Sequence, residues 1–177
     1  MTKGAEMPRI TLYEPSIAAE QQLDYFGSAG VGDKLFFPHV DTCCALAAVL
    51  SNGTVVGGHV PLLWGGNNNG DAATNMPRVW GRLDTLRQAI NGPPAVVGII
   101  AVGPAHWTKP YSVVQANFDP DFMLAFPSLR VDTQKTANGA DVTIKPTAAG
   151  LVIKVKDFKT GLVKRYQMPT DTTDEMF

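Results

Sequence analysis

Residues 41–61 read D-T-C-C-A-L-A-A-V-L-S-N-G-T-V-V-G-G-H-V-P, from Asp41 to Pro61, and hold both cysteines and one of the three histidines of the chain. Asn52-Gly53, flanked on both sides by apolar runs, is a hairpin signal, because a two-residue type I′ turn needs positive φ at both loop positions. With those two residues as the loop, Ser51 faces Thr54, Val49 faces Val56, Leu46 faces His59 and Cys44 faces Pro61. Side chains alternate along a strand, so this register puts Cys44, Leu46, His59 and Pro61 on one face and turns Cys43 to the other. Cys44 is then the diagonal neighbour of His59, roughly 7–8 Å away at Cα, within reach of longer side chains. A thiol and an imidazole in hydrogen-bond reach are the minimum for an activated thiolate nucleophile, so Cys44 and His59 are the candidate catalytic residues. A one-residue bulge would present Cys43 to the imidazole instead.

The competing reading is structural, since free cysteine usually packs as a small buried hydrophobe. The neighbours argue for a site. Ala45, Ala47, Ala48, Gly57 and Gly58 are all small, and glycine within a strand admits close approach of a ligand or another backbone. Two glycines directly before His59 are expected to open space beside the ring.

On these residues the chain resembles the Cys–His protein glutamine deamidases, the group that contains the chemoreceptor deamidase CheD and the catalytic domain of cytotoxic necrotizing factor. In that group the nucleophilic Cys opens one strand and the His lies on the next, at a separation similar to the 59 − 44 = 15 positions here. Gly57-Gly58-His59-Val60-Pro61 partly echoes the Gly-Gly, His, apolar, Pro signature of its CheD-like branch. A loop, an amphipathic helix and an apolar strand follow in the same order, and the similarity covers residues 35–103. Two departures stand out. Thr42-Cys43 precedes Cys44 where the toxin branch has Ser-Gly, and Phe36-Phe37-Pro38 occupies the region where the CheD-like branch has a supporting Thr. The third member of a triad is therefore open between a main-chain carbonyl of residues 35–40 and the hydroxyl of Thr42 or Ser28. The resemblance implies a protein glutamine deamidase converting Gln to Glu with release of ammonia, acting on a protein substrate without a cofactor, as a bacterial toxin or effector. The rivals are another Cys–His hydrolase or acyltransferase, and a non-enzymatic protein-binding module with the aromatic loop of His106, Trp107 and Tyr111 as its contact surface.

Composition bounds the rest. The 177 residues suit one domain, 1–177, with 170–177 as a loose tail. A hydrophobic share of 45% with 18% charged residues describes a globular chain rather than a disordered one. A net charge of −1 gives no electrostatic case for nucleic acid or an anionic membrane, so neither is expected as a partner. Two adjacent cysteines cannot build a disulfide framework, and residues 1–7 lack the apolar region of a Sec signal. The expected location is cytoplasmic, or that of a secreted effector working in a host or target-cell cytosol. Gly32-Asp33-Lys34-Leu35 fails the phosphate-loop pattern, which needs Gly-Lys-Ser/Thr. His39, Asp41, Cys43, Cys44 and His59 supply enough donors for zinc, but adjacent cysteines on a strand point apart, so no metal is expected.

Residues 8–13, 34–39 and 95–102 read as strands, and 16–25 and 118–129 as short helical segments. Met76, Val79, Trp80, Leu83, Leu86 and Ile90 recur at helical spacing, with Thr74 or Asn75 as cap and Gly92-Pro93-Pro94 as terminator. Two hairpins follow: residues 131–133 with 142–144 around Asn138-Gly139, and residues 151–156 with 162–168. In the second, Lys154, Lys156 and Lys164 alternate with apolar residues as a solvated face. The fold class is α+β, a mainly antiparallel sheet or sandwich with one amphipathic helix and one or two short ones packed on it.

Overall fold

The computed structural model describes residues 8–13, 25–61, 72–103, 129–132, 139–158 and 160–168. Its elements run β1 (Arg9–Thr11), β2 (Phe26–Ala29), β3 (Lys34–Val40), β4 (Cys44–Leu50), β5 (Val55–Val60), α1 (Ala72–Gln88), β6 (Val96–Gly103), β7 (Leu129–Asp132), β8 (Ala140–Thr147), β9 (Gly150–Asp157) and β10 (Val163–Met168). The strands form two five-stranded sheets, β1-β3-β8-β9-β10 and β2-β5-β4-β6-β7. Among the described residues, only β1/β3 and β6/β7 pair in parallel. The α+β class holds. The short helices expected at 16–25 and 118–129 fall almost wholly outside the described residues, as do the aromatic loop around His106 and the tail.

Three layers result, and alternation along β4 explains them. Cys43, Ala45, Ala47 and Val49 join Leu35, Phe37, Val142, Ile144, Ile153 and Tyr166 in a core between the two sheets. Cys44, Leu46, Ala48 and Leu50 join Met76, Val79 and Leu83 in a second core beneath α1. All seven residues of β4 are buried, which is why the strand reads A-L-A-A-V-L with no polar alternation. The helix lies where the periodicity put it, with Trp80, Leu86 and Ile90 packed at the margin of its core. It begins earlier than expected, so Asn75 is no cap. Its side-chain amide donates instead to the Pro61 carbonyl at 2.9 Å and ties the helix to the end of β5. Among the described residues no helix is long and apolar enough to cross a membrane.

Two pairings differ from the sequence expectation. Residues 129–132 do not form a hairpin with β8: β7 lies parallel to β6 in one sheet, while β8 pairs with β3 and β9 in the other. The hairpin of β9 with β10 is present, in the register Ile153 with Tyr166.

The more consequential difference is the β4–β5 turn. Leu50 N–H donates to Thr54 C=O and Gly53 N–H to Leu50 C=O, both at 2.9 Å. Gly53 has φ +82, while Asn52 is not left-handed. The loop is therefore the three residues 51–53 with a left-handed glycine at its end, not a type I′ turn with positive φ at both positions. Ser51 supplies the reason. Its N–H donates to Ala95 C=O at 2.9 Å and its hydroxyl accepts Ala95 N–H at 3.1 Å, so Ser51 is held to the chain leading into β6 and cannot face Thr54. The register moves by one: Val49 faces Val55, Ala45 faces His59 and Cys44 faces Val60. A one-residue slip exchanges the faces of every side chain on one strand relative to the other.

Gly57 and Gly58 do not open space; they admit neighbours. A Cβ on Gly57 would stand 2.7 Å from Leu35 Cδ1, and one on Gly58 would stand 2.5 Å from Val79 Cγ1. Val79 is β-branched on a helix and has little rotamer freedom to yield. Gly58→Ala should therefore cost about 1–3 kcal/mol of stability, the usual scale of overpacking. Adding Val79→Ala should return part of that loss, so urea unfolding of the single and double variants should be clearly non-additive. A Gly58→Ala protein as stable as its parent would contradict this packing.

Candidate functional site

Cys43 stands in the bend before β4 and His59 near the end of β5, both pointing between the two sheets and both fully buried. His59 Nε2 lies 2.7 Å from Cys43 Sγ. The pairing is thus with Cys43 and not with Cys44, which the sequence register had favoured. The three-residue turn is the cause, since it sets His59 opposite Ala45 and so on the Cys43 face. Cys44 packs in the core beneath α1. Burial pushes the Cys44 thiol well above its ordinary range; the neighbouring Cys43 adds to the rise and a backbone hydrogen bond at Val102 opposes it.

The imidazole has a partner on each side. Nδ1 lies 3.0 Å from the Leu12 carbonyl oxygen. A carbonyl only accepts, so Nδ1 carries the proton, and Nε2 of the neutral ring is the acceptor for the Cys43 S–H. Leu12 directly follows β1, and its N–H donates to Phe36 C=O at 2.8 Å, which fixes where its own carbonyl points. The imidazole thus joins one sheet, through His59, to the other, through Leu12. The Phe37 ring stands edge-on to it at a centroid distance of 6.2 Å. The expected third members do not take this place. The Thr42 hydroxyl donates to Asp41 Oδ1 at 3.3 Å, and Ser28 is exposed on β2 opposite Val56. Of the carbonyls in residues 35–40, that of His39 contacts the sulfur, at 3.4 Å, rather than the ring.

His39 is held unusually. Its φ of 55 is the one left-handed value for a non-glycine among the described residues, and the β3–β8 register shifts between Phe37 and Val40. Its N–H donates to Asp141 Oδ1 at 3.3 Å, and its ring lies 4.4 Å from that of Phe158. A left-handed conformation costs roughly 1–2 kcal/mol for a residue with a Cβ. Here it turns the His39 carbonyl toward Cys43. Asp41, exposed, brings Oδ1 to 4.0 Å from the same sulfur while accepting the Thr42 N–H. Three acceptors thus surround one thiol: Nε2, the His39 carbonyl and the Asp41 carboxylate. Among the described residues no group of His, Cys, Asp and Glu has the arrangement of a metal site.

Burial lowers the His59 pKa from 6.5 to about 4, with the Leu12 carbonyl and the Asp41 carboxylate opposing the shift. The ring is neutral near pH 7, so it is no standing imidazolium beside the sulfur. Such a ring serves as a general base once a substrate is in place, and less as a standing electrostatic activator.

No family model, curated protein or solved structure matches this chain.

The lowered pKa carries a sign for stability. Between 6.5 and about 4 the unfolded chain binds a proton at residue 59 that the folded chain refuses, so stability is complete above 6.5 and falls as pH drops toward 4. The group's share of the loss should be about 3 kcal/mol at most. Urea unfolding of the parent and His59→Gln from about pH 7 down to about pH 4 should converge in acid, because the variant has no such proton to refuse. Parallel stability curves for the two proteins would mean that the ring titrates normally in the fold.

Proposed function

We propose that the chain is a cysteine-dependent amidohydrolase, with Cys43 as nucleophile, His59 as general base and then acid, and the Leu12 carbonyl as the group that orients the ring. The observation that carries the reading is the aligned relay of Leu12 carbonyl, His59 Nδ1–H, His59 Nε2 and Cys43 Sγ. Neutral Nε2 takes the thiol proton as sulfur attacks an amide carbon. The imidazolium that forms keeps its Nδ1–H on Leu12 and has the Asp41 carboxylate nearby to favour it. It returns the proton to the departing nitrogen, leaving a thioester, and the neutral ring then activates the water that hydrolyses it.

The substrate we assign is the carboxamide of a protein glutamine, released as glutamate and ammonia. What supports it is the likeness to the deamidase group: the order of cysteine, tight turn, histidine strand, helix and apolar strand, and Gly57-Gly58-His59. With Cys43 as nucleophile the separation is 59 − 43 = 16 positions. Action as an effector on a target-cell protein belongs to the same reading.

A second reading has one observation in its favour, the complete burial of both Cys43 and His59. On that view the pair is a hydrogen-bonded tie between the sheets of a protein-binding module.

Ammonia release from a glutamine-containing protein separates the two. Cys43→Ser should abolish it, His59→Ala should lower it about 10²–10⁴-fold, and Cys44→Ser should keep most turnover. Circular dichroism must show each variant folded, since His59→Ala leaves the Leu12 carbonyl without its donor and costs about 1–3 kcal/mol. Loss of activity in Cys44→Ser together with full activity in Cys43→Ser would overturn the assignment. Release of new peptide termini rather than ammonia would make the enzyme a protease.

A further inference from the structure

The outward face of the sheet β1-β3-β8-β9-β10 is built differently from the rest of the chain. Leu35, Phe37, Val142, Ile144, Ile153 and Val155 point inward, so the residues between them point outward. That outward set includes Arg9, Lys34, Lys145, Lys154, Lys156 and Arg165, against one acid, Asp141. Among the described residues, Arg9, Lys145, Lys154, Lys156 and Arg165 have no ion-pair partner. Of the 15 Lys and Arg in a chain of net charge −1, six share this one surface. Net charge says nothing of such segregation; its distribution is the electrostatic footprint that a polyanion reads.

The register sharpens the point. Arg9 lies beside Lys34 and Lys154 beside Arg165, as direct neighbours on adjacent strands. Like charges in that position destabilise a sheet. At Lys154 and Arg165 an acidic residue in either position would relieve the repulsion, and an anion bound between them offsets it.

The face also has a hollow of about 230 Å³, lined by Arg9, Lys34, Lys145 and Lys154 over Phe36, Thr143 and Val152. The Arg9 guanidinium carbon sits 4.5 Å from the centre of the half-buried Phe36 ring. Four cations around an aromatic and aliphatic floor suit a planar ring that carries a phosphate. Cations continue across all five strands, about 19 Å at the usual strand spacing. Cationic grooves with stacking aromatics are how single strands are held without sequence readout. An acidic peptide would use the cations but add no ring to the stack of the Arg9 guanidinium over Phe36.

We infer that this face binds single-stranded nucleic acid, with phosphates along the Arg9 to Arg165 stripe and a base stacked at Phe36 and Arg9. The inference concerns the surface opposite the Cys43–His59 pair and stands independently of the proposed catalysis.

The test is fluorescence anisotropy of a labelled single-stranded oligothymidylate, its duplex form and a polyglutamate competitor, at salt from roughly 50 mM upward. The single strand should bind more tightly than the duplex, and log K should fall with log salt with a slope near −3 for about four phosphates neutralised, at about −0.7 each. Lys145→Glu with Lys154→Glu should weaken binding at least tenfold and flatten the slope, without loss of stability, because it removes like-charged neighbours. Phe36→Leu should weaken binding several-fold at unchanged slope. Arg82→Glu, on α1, should change nothing. Absence of binding, parent-like binding by either the double variant or Phe36→Leu, or equal displacement by polyglutamate would each overturn the inference; the last would make the partner an acidic protein.

Discussion

β4 has no solvent face, and everything else in the described structure is arranged around that constraint. A strand with one wet face tolerates errors of register at the cost of a few exposed apolar groups. A strand buried on both faces does not, because the layers on its two sides differ in kind. One side meets another sheet, with Leu35, Phe37 and Ile144; the other meets α1, with Val79 and Leu83. The paired strand β5 must match it residue by residue, and the two glycines at 57 and 58 serve one layer each. Gly57 makes room for Leu35 and Phe37, and Gly58 for Val79. Shifting β5 by one position would put Val56 where Gly57 meets Leu35, or His59 where Gly58 meets Val79.

A polar side chain in the middle of that packing must bring its own partners. His59 is buried among apolar residues and would cost several kcal/mol if its nitrogens were unmatched. The Leu12 carbonyl and the Cys43 thiol match both, one from each sheet. This satisfies the ring, and full burial decides its chemistry by favouring the neutral form against the opposing effect of the Leu12 carbonyl. The sequence reading expects an activated thiolate beside the imidazole. The structure instead has a neutral ring hydrogen-bonded to the Cys43 sulfur, and in the proposed catalysis proton transfer accompanies attack. The proposed catalysis then depends on the Asp41 carboxylate and the Leu12 carbonyl to accommodate the charge once it forms.

Much of the fold was legible, and the failures share a physical origin. The strands at β1, β3, β6 and β9, the helix stripe from Met76 to Ile90, and the α+β class all follow from local periodicity, which the residues carry on their own. The nearness of His59 to a cysteine was legible for the same reason. Which cysteine was not. That depended on whether Ser51 faces Thr54 or bonds to Ala95, a contact 44 positions away that no local pattern encodes. The Leu12 carbonyl was invisible for the same reason, being a main-chain group brought 47 positions along the chain to the ring. The partner of β7 likewise followed from sheet assembly and not from the Asn138-Gly139 turn signal. The basic surface failed differently: Lys154 and Lys156 read as a solvated face on one hairpin, and only the order β1-β3-β8-β9-β10 adds them to Arg9, Lys34, Lys145 and Arg165.

The adjacent cysteines show how a turn becomes chemistry. Cys43 and Cys44 are equally buried and differ by one step along the backbone. One lies among acceptors, the His59 ring, the His39 carbonyl and Asp41; the other lies among Leu46, Val60 and the helix, where burial disfavours an anion. Nothing intrinsic to either residue makes the distinction. It is imposed by the three residues that close the hairpin, because an added or deleted residue there exchanges the two environments. A type I′ closure would carry His59 to the Cys44 face beneath α1, away from the Leu12 carbonyl that orients it. The relay therefore cannot be moved to the other thiol by local adjustment. It exists only where the turn, the glycine pair and the strained His39 carbonyl agree on the same parity.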